Sequence, residues 1–169
     1  YAPEVQASFD AVMRGKPPLI LFRTLAGSER AWAKFRGGSL LDRGPLSLRQ
    51  RELVIDRTCA LAGCEYEWGV HVAIFAEAAG LSPQEVAATA GAGSAAPGWT
   101  AAERALLEAV EALHARATLS DEEFAALRTY HDEAQVFEVL LLCGFYRMVA
   151  YVANGLDLPL EPDAARFPS

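Results

Sequence analysis

Four times in this chain a serine or threonine is followed three positions later by Glu or Gln, just ahead of an apolar run: Ser47 and Gln50, Ser82 and Glu85, Thr100 and Glu103, Ser120 and Glu123. In that arrangement the hydroxyl accepts a hydrogen bond from an amide of the first helical turn, and the later side chain reaches back to the capping residue's own amide. Each box therefore marks a helix start. After Ser47, Leu53, Val54, Ala60 and Leu61 recur at helical spacing until Ala62 and Gly63 interrupt the run. A second helix is expected from about Cys64 to Ala79, closed by Gly80 in a left-handed turn. Leu106, Leu107, Val110 and Leu113 mark an amphipathic helix, and Phe124 and Leu127 a shorter one. The stretch holding Val136, Val139, Leu140, Cys143 and Met148 is apolar on most of its circumference and is expected to run through the core. Val5 to Met13 and Ser28 to Leu41 also read as helices. Residues 91–98, rich in Gly, Ala and Ser, read as a surface loop, and residues 158–169, with three prolines, as an extended tail. With no strand pattern and no internal repeat, the fold class is all-α.

A chain of 169 residues, 52% of them hydrophobic, is large enough for a real core, and we expect one domain over residues 1–169. The net charge of -7 opposes both a phosphate backbone and an anionic membrane surface, so neither nucleic acid nor a membrane is expected as a partner. A membrane span requires about 18 uncharged residues. The longest apolar stretch, residues 136–153, is interrupted by Glu138 and Arg147, which predicts a soluble protein. Three cysteines, Cys59, Cys64 and Cys143, form no paired framework and point to a reducing compartment, the cytoplasm. The sequence opens on Tyr1 rather than Met, which we read as a true N-terminus lying outside this chain.

On a helix beginning near residue 64, Cys64, Glu67 and His71 share one face, which puts a thiol, a carboxyl and an imidazole together. Cys64 would lie where the positive end of the helix dipole favours a thiolate. Glu52, on the preceding helix, would fold back alongside through the break at Gly63. Each residue also has a plainer reading. Glu67 and His71 fit a surface i, i+4 pair contributing only a few tenths of a kcal/mol, and Cys64 fits a small buried hydrophobe. Tyr66 and Trp68 fit core packing as well as an aromatic wall beside a substrate. An arginine in so apolar a segment needs a partner, which for Arg147 is Glu52, Glu138 or a substrate carboxylate. His114 and His131 lie among charged residues and are expected to be solvated. No metal is expected, because bundle di-metal sites use a Glu-x-x-His pair on each of two helices and this chain offers Glu67 and His71 once, at a different spacing.

Arg51, Glu52 and Leu53, then Cys64 twelve positions after Glu52, Tyr66, Glu67, Trp68 and His71 together resemble the carboxymuconolactone decarboxylase family, related to the alkylhydroperoxidase D-like proteins. The likeness continues through Ala79 to Ser82, Glu103 to Leu106 and Gly144 to Met148, and covers roughly residues 45–155. It implies an alkylhydroperoxidase D-like helical bundle that assembles as a homo-oligomer, a trimer or hexamer, with its site between helices near a subunit interface. The peroxidase branch of that family uses a Cys-x-x-Cys pair followed by His, with an upstream Glu. Cys64, His71 and Glu52 match three of these positions, whereas Glu67 occupies the place of the second cysteine. A thioredoxin-like cycle needs a resolving thiol, which glutamate does not supply. The decarboxylase branch instead moves protons at carbon beside a carbonyl without a cofactor, for which His and carboxylates are suitable groups. The expectation is therefore a cofactor-independent lyase or isomerase acting on a small unsaturated carbonyl, lactone or carboxylate compound. His71 would be the principal acid or base, Glu67 its partner, Glu52 an orienter or second proton carrier, and Cys64 a secondary candidate. Tyr66, Trp68 and Arg147 would contact substrate. The alternatives are a thiol-dependent peroxidase or reductase using Cys64, and a non-catalytic ligand-binding or assembly protein.

Overall fold

The computed structural model describes residue 1 and residues 3–169. Among these residues there are nine α-helices, one short 3-10 turn and no strand. The backbone divides into two compact units, Tyr1–Asp42 and Arg43–Ser169.

The first unit holds α1 (Pro3–Met13), α2 (Ile20–Leu25) and α3 (Glu29–Gly38). Phe9 and Trp32 meet edge to face at 5.0 Å, Phe22 and Phe35 pack on Trp32, and the Trp32 indole donates to the Ser8 hydroxyl at 2.9 Å. The sequence expectation omitted α2. Its start has no hydroxyl cap, because Leu19 stands at that position and makes no side-chain bond.

The second unit contains α4 (Leu48–Leu61), α5 (Glu65–Phe75), α6 (Pro83–Ala90), α7 (Ala101–Arg116), α8 (Asp121–Tyr130) and α9 (Glu133–Gly155). All four expected boxes form with both reciprocal bonds, at the heads of α4, α6, α7 and α8. A fifth, Asp132 with Gln135, starts α9 with a carboxylate in place of the hydroxyl. Each such cap contributes about 0.5–2 kcal/mol. The regular part of α5 stops at Phe75, earlier than Ala79, and an irregular turn ends at Gly80 with φ +66°.

Helix α4 is the hub. It packs against α5, α6, α7 and α9, and every residue from Glu52 to Cys59 is buried. Polar side chains on so enclosed a helix are costly unless partners inside the protein satisfy them. Arg57 does so with Glu111 at 2.8 Å and with the carbonyls of Thr89 and Gly91, both at 3.0 Å. The carbonyl of Gly93 accepts from the Trp99 indole, and Ser94 bonds Glu111, so residues 91–98 are pinned down, with Gly93 and Ala96 buried.

Helix α9 departs from the expectation that it runs through the core. Val136, Val139, Leu142, Tyr146, Val149 and Ala150 are buried, but Phe137 and Leu141 are each 58% exposed and Tyr151 65%. Neighbouring helices cover one side only. The helix is also long and apolar enough to cross a membrane by length and composition despite Glu138 and Arg147, which corrects the reading that these charges interrupt it. Core helices of water-soluble bundles meet the same criterion.

Candidate active site

Gly63, at φ +61°, supplies the left-handed residue that ends α4 and turns the chain so that the Cys64 amide bonds back to the Cys59 carbonyl at 2.9 Å. The turn lays α5 beside α4, and Glu52 and His71, nineteen residues apart, meet across the two helices. Nδ1 of His71 lies 2.7 Å from Oε2 of Glu52, and Nε2 lies 3.5 Å from Oε1 of Glu67 one turn earlier on α5. Arg51 completes the row, its guanidinium holding Oε1 of Glu52 at 2.8 Å and lying over the Phe75 ring at 5.1 Å. Tyr146 of α9 stands edge-on to the imidazole, ring centres 5.0 Å apart. All of Glu52, Glu67, His71 and Tyr146 are buried.

Burial by itself would push the His71 imidazole toward the neutral form. The hydrogen bonds and negative charges of Glu52 and Glu67 outweigh it, and the pKa is raised to about 10. His71 is thus an imidazolium at neutral pH, and both ring nitrogens carry a proton. The two protons are held differently. That on Nδ1 is in a short charge-assisted bond to Glu52, whereas that on Nε2 faces Glu67 at a distance beyond the usual 2.7–3.2 Å of an N–H···O bond. Oε2 of Glu67 is buried with no hydrogen-bond partner among the described residues. A small molecule at this edge would find a donor and an acceptor side by side.

Asp56, one turn beyond Glu52 on α4, is a member of the cluster that sequence reasoning missed. Neither of its carboxyl oxygens has a hydrogen-bond partner among the described residues. Burial holds this carboxyl well above the ordinary carboxylate range; the positive charge of His71 pulls it back, and the negative charge of Glu52 adds to the rise. The i, i+4 spacing from Glu52 was the available signal. Arg51 stood in the recognised motif without a role, and for Tyr146, seventy-five residues beyond His71, no local signal exists.

The expected thiolate at Cys64 is not what the surroundings favour. Cys64 is the N-cap residue of α5, one position before its first turn, and makes no side-chain capping bond. Burial raises its thiol to about 11, and the backbone amides of the first turn offset only part of that. Cys59, Cys64 and Cys143 are all free.

Tyr66 and Trp68 hold partners in the C-terminal tail and in α6. The Tyr66 hydroxyl donates to Glu161 at 2.6 Å, the Trp68 indole donates to Thr89 Oγ1 at 3.0 Å, and Phe167 packs on Trp68 at 5.1 Å. Together they bind the C-terminal tail to α5. The tail reaches the helix at Gly69, whose carbonyl accepts from the Ala165 amide at 3.0 Å. A Cβ at position 69 would stand 2.2 Å from the Ala165 carbonyl oxygen, so only glycine permits this approach.

Arg147 pairs with neither Glu52 nor Glu138. Its guanidinium bonds Tyr151 at 3.2 Å and Nδ1 of His114. His114 is partly buried in this contact. His131, also expected in solvent, is buried, with Nδ1 bonded to the Leu127 carbonyl at 3.1 Å. Among the described residues no group of three or more His, Cys, Asp or Glu side chains is arranged to hold a metal ion.

Several solved structures share this fold. An uncharacterized peroxidase-related protein from Silicibacter sp. TM1040 aligns with a TM-score of 0.81 at 20% identity, over 94% of this chain and 85% of that one. The debrominase Bmp8, in its apo form, aligns at 0.72 and 19% identity, over 96% and 88%. A protein of unknown function from Agrobacterium tumefaciens, named as a candidate AhpD antioxidant-defence protein, aligns at 0.63 and 20% identity, over 89% and 95%. At these identities the likeness establishes the fold. No functionally curated protein matches the chain. The sequence model of the carboxymuconolactone decarboxylase family matches residues 26–112, just over half of the chain and inclusive of Glu52, Cys64, Glu67 and His71. By that match the protein belongs to the carboxymuconolactone decarboxylase family.

Proposed function

We propose that the protein is a cofactor-independent acid/base enzyme that moves a proton at carbon beside a carbonyl in a small unsaturated carbonyl, lactone or carboxylate compound. The observation that carries this reading is the asymmetric grip on His71, tight at Nδ1 and loose at Nε2. Glu52, backed by Arg51, fixes the ring and balances its charge. The Nε2 proton is then the one to be delivered to a developing enolate or carbanion, while Glu67 takes a proton from the substrate carbon and returns it to Nε2, 3.5 Å away, which restores the imidazolium. Glu52 thus takes the orienting role that was one of its two expected roles, and Glu67, expected as the partner of His71, becomes the second proton carrier. Burial biases Asp56 toward its neutral form, which limits the negative charge in a cluster where Arg51 and His71 face Glu52 and Glu67.

The test is proton NMR in deuterated water with a panel of small lactones, unsaturated carboxylates and β-keto acids. Deuterium should enter at the carbon beside the carbonyl, and His71→Asn should lower turnover about 10²–10⁴-fold. Full turnover by His71→Asn on a confirmed substrate would sink the assignment.

A thiol-dependent reductase is the second reading, favoured by the descriptions of the structural relatives as peroxidase-related and as a debrominase. Burial of Cys64 and the glutamate at position 67 weigh against it. Sulfenic acid at Cys64 after peroxide treatment would move the balance toward this reading.

We further propose that the protein self-associates through α9. The exposed row of Phe137, Leu141 and Met148 is the kind of apolar strip that partner subunits cover. Light scattering on the eluted protein reads the oligomeric state.

A further inference from the structure

A cavity of about 330 Å³ lies between α4, α7 and α9 and shares no residue with the Glu52 and His71 cluster. Ligand pockets run from about 300 to 1,000 Å³, so its size suits a compact molecule. Val110, Leu113 and Leu140 give it apolar walls. At one side Thr58 and Cys143 satisfy each other, hydroxyl to sulfur at 3.8 Å, and burial keeps the Cys143 thiol protonated, raised to about 11.

The unusual member is Arg147. Three other arginines pair with glutamates, Arg49 with Glu85 and Glu103, Arg51 with Glu52 and Arg57 with Glu111, while the partly buried Arg104 lies against the backbone carbonyls of Ser94 and Ala96. Arg147 makes no ion pair among the described residues, although the chain carries an excess of acidic groups. Its guanidinium rests over the Tyr151 ring at 5.5 Å, its Nε–H donates to the Tyr151 hydroxyl, and its Nη1 donates to Nδ1 of His114. A guanidinium has only donors, so Nδ1 of His114 must be the bare nitrogen and its proton sits on Nε2. Burial and the charges of Arg147 and Arg57 lower the His114 pKa, which agrees with that tautomer being neutral. Tyr151 and His114 thus hold the guanidinium in place without neutralising it. A half-buried guanidinium with no carboxylate beside it gains a charge-assisted hydrogen bond when an anion joins it.

We propose that this cavity is a second small-molecule site that takes a compact apolar carboxylate, its carboxylate on Arg147 and its body between α4, α7 and α9. The inference stands on residues that the proposed acid/base chemistry does not use.

Titration calorimetry on the full chain with benzoate and octanoate, each against its neutral amide, tests it. The carboxylates should bind about tenfold or more tightly than the amides, the worth of a charge-assisted pair. Arg147→Met should abolish that preference. Gly144→Leu should block carboxylate binding by filling the cavity, and it keeps α9 intact. A Cβ at position 144 meets nothing within 4 Å, and leucine favours a helix more than glycine does. Failure of both carboxylates to bind the wild-type chain at millimolar concentration, equal binding of the amides, or undiminished binding by Gly144→Leu would each overturn the proposal.

Discussion

Nδ1 of His71 and Oε2 of Glu52 lie 2.7 Å apart in the interior, on two helices joined through Gly63. Arg51 occupies the other oxygen of Glu52, so this carboxylate stands between two cations. Removing one member of a buried charge pair leaves the other uncompensated, at a cost of about 3–5 kcal/mol. Glu52→Gln should therefore lose stability on that scale in urea denaturation, and the His71 imidazole should titrate well below its wild-type position by NMR. A loss no larger than that of a surface pair, about 1 kcal/mol or less, would show that the contact does not form in solution.

The raised pKa of His71 makes stability depend on pH. In the folded chain the ring keeps its proton up to about 10, against an ordinary value of 6.5. Its contribution is fully present below pH 6.5 and is lost as pH rises toward 10, amounting to a few kcal/mol. Urea midpoints of the wild-type chain should fall across that window relative to those of His71→Asn.

Asp56 has the opposite practical consequence. Its carboxyl keeps its proton to higher pH in the folded chain than in the unfolded one, so ionisation favours the unfolded chain above the usual carboxylate range. Asp56→Asn, which has no such proton to lose, should be more stable than the wild type near pH 8, with the gap closing toward about pH 4. Equal stability at both would mean that Asp56 is ionised and partnered.

Gly69→Ala should drive the Ala165 carbonyl off α5. The expected cost is that of overpacking, about 1–3 kcal/mol. Residues 158–169 should become open to proteolysis, and Trp68 fluorescence should change as Phe167 leaves it.

Native thiols should react slowly with Ellman's reagent at neutral pH, because burial raises Cys64 and Cys143 to about 11 and Cys59 well above its ordinary value. In denaturant all three should react quickly. A fast native phase that disappears in Cys64→Ala would favour the thiol-dependent reading.

The helix starts were legible because capping is local chemistry: a hydroxyl and a glutamate or glutamine three residues apart need nothing from the rest of the chain, and all four expected boxes formed. The one-face alignment of Glu67 and His71, and the fold-back at Gly63 that brings Glu52 near, followed equally from helical period and glycine's freedom. Tertiary structure decided what each of these groups does. Whether Glu52 or Glu67 grips the imidazole depends on the distance between α4 and α5, and whether Cys64 ionises depends on burial that opposed the helix terminus and won. The Asp56 carboxyl is pushed toward its neutral form and Arg147 is left without an ion pair only because of which side chains three-dimensional packing placed, or failed to place, beside them. Local spacing sets which groups share a face; desolvation and partners, which come from residues far along the chain, set their charge and hence their chemistry.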